Sequence, residues 1–392
     1  MQEFQYWWLL AFPLFFTLGW LAARIDIRHV ISESRSLPSS YFKGLNFLLN
    51  EQPDKAIEAF IEVANIDTDT AELHFALGSL FRRRGEVERA IRMHQNLVQR
   101  DDLPPAQKLA ATFELGQDFL KAGLLDRAED IFLSLQSTEY AGKAGKFLLE
   151  IYVAEKDWDK AIAIAERLSL LANQPFYMEI AHFYCELAVV KNAQSDGAAA
   201  FEYLREALKV YKNCTRANIL LGEFEAARGN HEIALIHWKS IELQNPAHLA
   251  LVAERMLGSF KALDRLDEGI QLLSDYLHQH ASLDLLAIVF RAVLETSGPA
   301  AASQLVREDL RRHPTLEGLN KLLEAQLLEA PPERRQDMQL VKNLIQQHAT
   351  RLSVYRCASC GFKARKFYWQ CPACGGWETF PPYRREEQEA IV

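Results

Sequence analysis

The chain is 392 residues long, 49% apolar and 24% charged, with a formal net charge of −8. Its apolar share, with 18 glycines and 14 prolines, excludes a disordered or collagen-like polymer, and six cysteines in this length exclude a disulfide-stapled secreted scaffold. Counting Lys and Arg against Asp and Glu gives +1 (4 minus 3) for residues 1–43, −12 for 44–350 and +3 (7 minus 4) for 351–392, so the chain as a whole is poorly matched to nucleic acid.

Phe4 to Ala23 carries no charge over about twenty positions, enough to cross roughly 30 Å of hydrocarbon as a helix. Tyr6, Trp7, Trp8 and Trp20 lie near its ends, as interface aromatics do, and Pro13 is tolerated in such a span. Met1-Gln2-Glu3 lacks the basic start of a cleaved signal, which predicts an uncleaved anchor over residues 1–23. Arg24, Arg28, Arg35 and Lys43 follow the span and no Lys or Arg precedes it, so the positive-inside rule places the rest of the chain in the cytoplasm. Residues 24–36 are polar and read as a short juxtamembrane linker.

A helical repeat follows over residues 37–280. One unit runs from Ala71 to Asp102, with Leu77, Gly78 and Phe81 on a first helix, Gly85 in the turn, and Ala90, His94 and Leu97 on a second. Small residues twelve apart let the two helices approach closely. The offset recurs as Gly44/Ala56, Gly78/Ala90, Gly116/Ala128, Leu149/Ala161, Ala188/Ala200, Gly222/Ala234 and Leu257/Gly269, in units about 33 to 39 residues apart. Leu-Gly at the first site, an aromatic residue three later and Ala at the second resemble tetratricopeptide repeats (TPRs). The predicted fold class is all-α: a TPR-type solenoid of helical hairpins, with a transmembrane helix before it and a small four-cysteine module after it. Turns are expected at Gln52-Pro53, Arg84-Gly85, Ala122-Gly123, Lys156-Asp157 and Arg228-Gly229. First helices line the concave face of such a stack, making Glu72, Phe75, Ser79 and Arg82 of one unit and Ile219, Glu223 and Ala226 of another candidate partner contacts. Beyond residue 280 the period fades, and residues 281–350 read as degenerate capping helices broken at Gly298-Pro299, Pro314 and Pro331-Pro332.

No convincing active site accompanies these helices. There is no Gly-rich phosphate loop, Gly-x-Ser-x-Gly elbow or His-Glu-x-x-His. Cys185 and Cys214 read as small buried apolar residues, and His182, three before Cys185, as packing rather than half of a nucleophile pair.

Residues 351–383 are different. Cys357, Cys360, Cys371 and Cys374 form two Cys-x-x-Cys turns ten residues apart, whose thiolates complete a tetrahedral sulfur shell around one ion. Gly361 and Gly375 follow the second cysteine of each pair, where positive φ lets the backbone wrap the metal. Tyr355, Phe362, Tyr368, Trp369 and Trp377 are expected to coat the module. The ligand set permits zinc or iron and leaves no open catalytic position. Basic residues (Arg351, Arg356, Lys363, Arg365, Lys366, Arg384 and Arg385) point either to nucleic acid or to docking of the module on the acidic array, the tether beside a membrane favouring the latter. Residues 384–392 read as a tail.

The order of span, repeats and four-cysteine ribbon resembles the lipopolysaccharide assembly protein B (LapB) family. So do Leu77–Gln95 (LGSLFRRRGEVERAIRMHQ), Asp126–Asp130 (DRAED), Glu179–Ala188 (EIAHFYCELA), YRCASCGF and YWQCPAC. The resemblance implies a non-enzymatic inner-membrane adaptor, held in the bilayer by its amino-terminal helix, that restrains lipopolysaccharide synthesis. Its implied partners are the lipid A deacetylase LpxC, the membrane protease FtsH and a YejM/PbgA-type membrane sensor. It further implies a rubredoxin-like module holding one iron ion at Cys357, Cys360, Cys371 and Cys374, with zinc still open because the ten-residue gap is short for an electron carrier.

Overall fold

A computed structural model describes residues 71–172 and 175–390, with scattered positions before residue 60. Apart from Thr17, the expected span Phe4–Ala23 lies outside the described residues, as does the linker at 24–36. Two compact units are present, residues 1–151 and 152–392.

The helices are α1 (Ala71–Arg84), α2 (Val87–Gln99), α3 (Pro105–Lys121), α4 (Leu125–Ser134), α5 (Ala141–Glu155), α6 (Trp158–Ala172), α7 (Tyr177–Ala193) and α8 (Gly197–Val210). They continue as α9 (Thr215–Ala227), α10 (His231–Lys239), α11 (Ala253–Ala262), α12 (Leu266–Gln279), α13 (Leu283–Arg312), α14 (Leu316–Glu329) and α15 (Pro332–Leu352). A 3-10 turn, Pro246–Leu251, precedes α11. The carboxy-terminal module contributes strands β1 (Tyr355–Arg356) and β2 (Lys363–Ala364), and α16 (Arg385–Ala390) closes the described chain.

Each of the six hairpins from α1/α2 to α11/α12 turns on one residue in the left-handed region: Gly85, Gly123, Lys156, Ser195, Gly229 and Asp264. Each lies five residues before the second-helix small residue. The next amide reaches back to the carbonyl five residues earlier, as in Glu86 to Phe81 (2.9 Å), Asp196 to Lys191 (3.0 Å) and Arg265 to Phe260 (2.9 Å). This is the Schellman closure, which satisfies carbonyls that the end of a helix would otherwise leave unpaired.

Volumes are reciprocal across the hairpins. Gly78 meets the His94 ring, Gly116 meets Phe132 and Gly222 meets Trp238, with all three large side chains almost wholly buried. Where the first site is larger, the residue sixteen later is aliphatic: Ala188 with Leu204, and Leu257 with Leu273. These facing residues form the cores, including one in the second unit built on Trp238, Met256, Phe260, Leu273, Leu286 and Phe290.

Helix α13 has the length and hydropathy of a membrane span. Gly298, at φ +83° beside Pro299, breaks it into two helices, and Leu285, Leu286, Val289, Phe290, Ala302 and Val306 are buried in the core. Ser282 caps its start by accepting from the Leu285 amide (3.3 Å), and Thr315 caps α14 by accepting from Gly318 (3.1 Å).

A Cβ at Gly222 would lie 2.2 Å from Trp238 Nε1, whose N–H donates to the Ile219 carbonyl (3.1 Å). Gly222→Ala is therefore expected to cost about 1–3 kcal/mol. Gly258, with nothing within 4 Å of its built Cβ, should gain roughly 0.5–1 kcal/mol as Gly258→Ala. Urea midpoints of the full chain in detergent check this; shifts of the same sign would contradict the close-approach account.

Candidate metal centre and its docking face

The carboxy-terminal module is two matched knuckles. In the first, the Cys357 amide donates to Phe362 O (2.9 Å) and the Gly361 amide to Cys357 O (3.0 Å). In the second, Cys371 donates to Gly376 O and Gly375 to Cys371 O, both at 2.8 Å. Gly361 (φ +76°) and Gly375 (φ +71°) occupy the left-handed positions that an L side chain would strain. Strands β1 and β2 pair antiparallel, with Tyr355 opposite Ala364 and Arg356 opposite Lys363.

This folding brings Cys357, Cys360, Cys371 and Cys374 together, their sulfurs all within 4.8 Å of one another. The Cys357–Cys374 and Cys360–Cys371 Sγ separations are 3.8 and 3.7 Å. A tetrahedron with metal–sulfur bonds of about 2.3 Å has edges of about 3.8 Å, so the four residues fit a tetrahedral thiolate-bound ion. Cys357 and Cys371 are buried while Cys360 and Cys374 are exposed. The four-cysteine arrangement is a rubredoxin-type metal site. When bound, the ion neutralises the thiolates and cross-links the two knuckles.

The aromatic residues divide in a way the sequence does not show. The small core beneath the knuckles is Tyr355, Cys357, Cys371 and Phe380, with Phe367 and Ala364 against it. Phe362 and Tyr368, expected as part of the coat, are 40% and 38% exposed. Trp369 and Trp377 instead carry the module onto the helices. Trp377 stacks on His182 of α7, with centroids 4.8 Å apart and planes 17° apart, and meets Phe183 edge-on at 5.9 Å. Trp369 packs against His248 at 5.0 Å. The Arg216 guanidinium lies 5.8 Å from the Trp377 ring and pairs with Glu186 at 2.8 Å.

Glu378, next to Trp377, adopts φ +50°, a conformation that costs a non-glycine residue about 1–2 kcal/mol. It points its carboxylate at His182 Nε2, 2.9 Å away. A carboxylate only accepts, so Nε2 carries the proton. Burial holds His182 below the usual imidazole value although Glu378 pulls the other way. Burial likewise pushes His248 down to about 4, against the pull of Glu378 and with His182 adding to the shift. His248 is further held by a 3.0 Å contact between Nδ1 and Thr215 Oγ1.

A second attachment lies where a tail is expected. Arg384 Nη2 and Nε grip Asp284, in the first turn of α13, at 2.9 and 3.1 Å, while Nη1 donates to the Ser353 and Arg365 carbonyls. The Tyr355 hydroxyl donates to the same Asp284. Glu387 accepts from the Leu283 amide (2.9 Å) at the amino end of α13, and Glu386 accepts from the Leu316 amide of α14. Carboxylates at helix amino termini complement the free N–H groups and the dipole. Burial raises Glu387 to about 7.

The module thus docks through its tryptophans, Glu378 and Arg384. Arg356, Lys363 and Lys366 are exposed and, among the described residues, enter no ion pair, so they are not the glue that charge alone predicts. The candidate partner residues on the helices have internal partners too: Arg82 pairs with Glu114 (2.5 Å) and with buried Asp118 (2.7 Å), which holds His94 Nδ1 at 2.5 Å. Glu223 pairs with Arg255 (2.7 Å), and burial raises its carboxyl. Phe75 is half-buried against the His94 ring and Ser79 is half-buried. Cys185 and Cys214 are buried, their sulfurs 3.8 Å apart in an apolar cluster.

Because the unfolded chain protonates at His248 near pH 6.5 and the folded one only near 4, acid destabilises the docked state across that window. Between pH 7.5 and 5.5 this amounts to about 1–2 kcal/mol. His248→Asn should therefore cost less stability at pH 5.5 than at 7.5. An unchanged cost, measured by urea unfolding at both pH values, would contradict a neutral, buried His248.

Known proteins carry the same parts. A family model described as a rubredoxin metal binding domain matches residues 355–382, and a tetratricopeptide repeat model matches residues 73–106. Lipopolysaccharide assembly protein B of Escherichia coli strain K12 is 34% identical over 378 residues, 96% of this chain and 97% of that protein. The Haemophilus influenzae protein of the same name is 30% identical over 390 residues, covering 96% and 98%. With likeness along nearly its whole length, helical repeats and a terminal four-cysteine module, the chain belongs to the lipopolysaccharide assembly protein B family.

Proposed function

We propose that this chain is a membrane-tethered TPR adaptor that restrains lipopolysaccharide synthesis at the inner membrane. In this reading it presents the lipid A deacetylase LpxC to the protease FtsH and answers to a YejM/PbgA-type membrane sensor. The observation that carries the reading is the likeness of 96% of the chain to a protein named for lipopolysaccharide assembly.

The work is binding rather than catalysis. Residues 1–23 anchor the chain, 24–36 link it, 37–280 hold about seven repeats, 281–350 cap them, and 351–383 form the metal module with 384–392 behind it. The anchor confines protease and substrate to one layer, which raises their effective concentration for each other without any new contact. The bulk of the chain lies on the cytoplasmic side. Phe75 and Ser79 meet the partner directly, while Arg82 and Glu223 hold the first helices in register through their ion pairs. The ion is iron, with zinc as the second candidate for the same four thiolates. Its role is structural, because four protein ligands leave no open position for substrate.

The test is the decay of LpxC after protein synthesis is blocked. Depletion of this chain should slow the decay several-fold, repletion should restore it, and a form lacking residues 1–23 should not. Unchanged decay on depletion would overturn the proteolytic role, and full activity of the anchorless form would overturn tethering.

A further inference from the structure

Docking consumes one side of the metal module and leaves the other bare. Strand side chains alternate between faces, and the pairing of Tyr355 with Ala364 sends both into the module's core. Arg356 and Lys363 therefore share the outward face, with Lys366 following, and all three are exposed; Arg365, beyond β2, instead lines the cleft shared with Glu317, Glu324 and Arg384. Among the described residues, none of Arg356, Lys363 and Lys366 enters an ion pair, whereas Arg384, Arg216, Arg255 and Arg265 all do. Phe362 precedes Lys363 and Tyr368 lies two residues after Lys366 in the chain. Both rings stand edge-on to buried Phe380, at 6.4 and 5.8 Å, so each is braced against it while about two fifths of each stays exposed.

We infer that this face is a contact surface for anionic lipid headgroups. Unpaired cations are drawn to an anionic leaflet, and braced, half-exposed aromatic residues are the side chains that settle at the headgroup level. The surface gives the chain a second, salt-sensitive contact with the bilayer beside its span. The inference rests on the tethering reading. An untethered polyanion such as RNA would have to overcome the −12 charge of residues 44–350 by affinity alone, whereas a bilayer held by the chain's own span is already at hand.

The experiment uses the full chain in nanodiscs, with acetylation of individual lysines by an N-hydroxysuccinimide ester read by mass spectrometry. On discs containing 30% phosphatidylglycerol, Lys363 and Lys366 are expected to react at least threefold more slowly than on phosphatidylcholine discs. Exposed Lys261 should not change, and 0.5 M NaCl should abolish the difference. The charge reversal Arg356→Glu should weaken the protection of Lys363, with bound metal counted to confirm that the module is folded. Equal rates on the two lipids overturn the inference while leaving the anchor intact. Protection by a single-stranded RNA oligomer but not by phosphatidylglycerol overturns it in favour of nucleic acid. Failure of the chain to insert into discs overturns the tethering reading, and the inference with it.

Discussion

Four sulfur atoms within 4.8 Å of one another cannot all be thiolates unless a cation sits between them. That electrostatic constraint governs the carboxy-terminal third of the chain. The module has a core of only four buried side chains, two of which are the ligands Cys357 and Cys371. A core so small does not offset the entropy of ordering the knuckles without a cross-link. Metal binding therefore sets the positions of Trp369, Trp377 and Glu378, and through them the cover over His182, Arg216 and His248.

The docked module changes how the helical array is understood. The first helix of a TPR hairpin is expected to offer its face to a partner, and in the second unit α7 and α9 offer theirs to the chain's own ribbon. The polar groups beneath it are tuned to that cover: His182 and His248 are held neutral by burial, and the strained Glu378 is aimed at the one protonated ring nitrogen. Arg384 and Glu387 fasten the same module to the start of α13, where Asp284 and the free amides lie. In the first unit, Arg82, Asp118 and His94 form a buried polar chain that joins α1 to α3 through α2. A network of this kind, paired except at the buried His94 Nε2, fixes register between repeats more than it adds stability.

Much of this is legible in the sequence because repeats and metal knuckles are written in short-range spacing. The twelve-residue offset marks the close contact at Gly78, Gly116 and Gly222, and glycine marks the turns at 85, 123 and 229. The turns at Ser195 and Asp264 carry no such mark, since neither is glycine and the left-handed conformation is imposed there by the hairpin rather than invited by the residue. The four cysteines are visible as a set. The division of labour among the aromatic residues is not, because whether Trp369 faces its own module or His248 depends on a contact between residues more than a hundred positions apart. Glu387 escapes notice for the same reason, and Arg384 is one of seven candidate basic residues until Asp284 is placed beside it.

The central claim is that the ion organises the docking face as well as the module that binds it. Hydrogen exchange of the full chain, with and without chelation of the metal, tests this directly. The account predicts faster exchange on chelation in three places at once: the module at 355–382, the docking residues around His182, Thr215 and His248, and the Leu283 to Leu286 amides at the start of α13, while Ala71–Gln99 is unaffected. Acceleration confined to the module would contradict it, and would mean that the helices hold their arrangement whether or not the ribbon is in place.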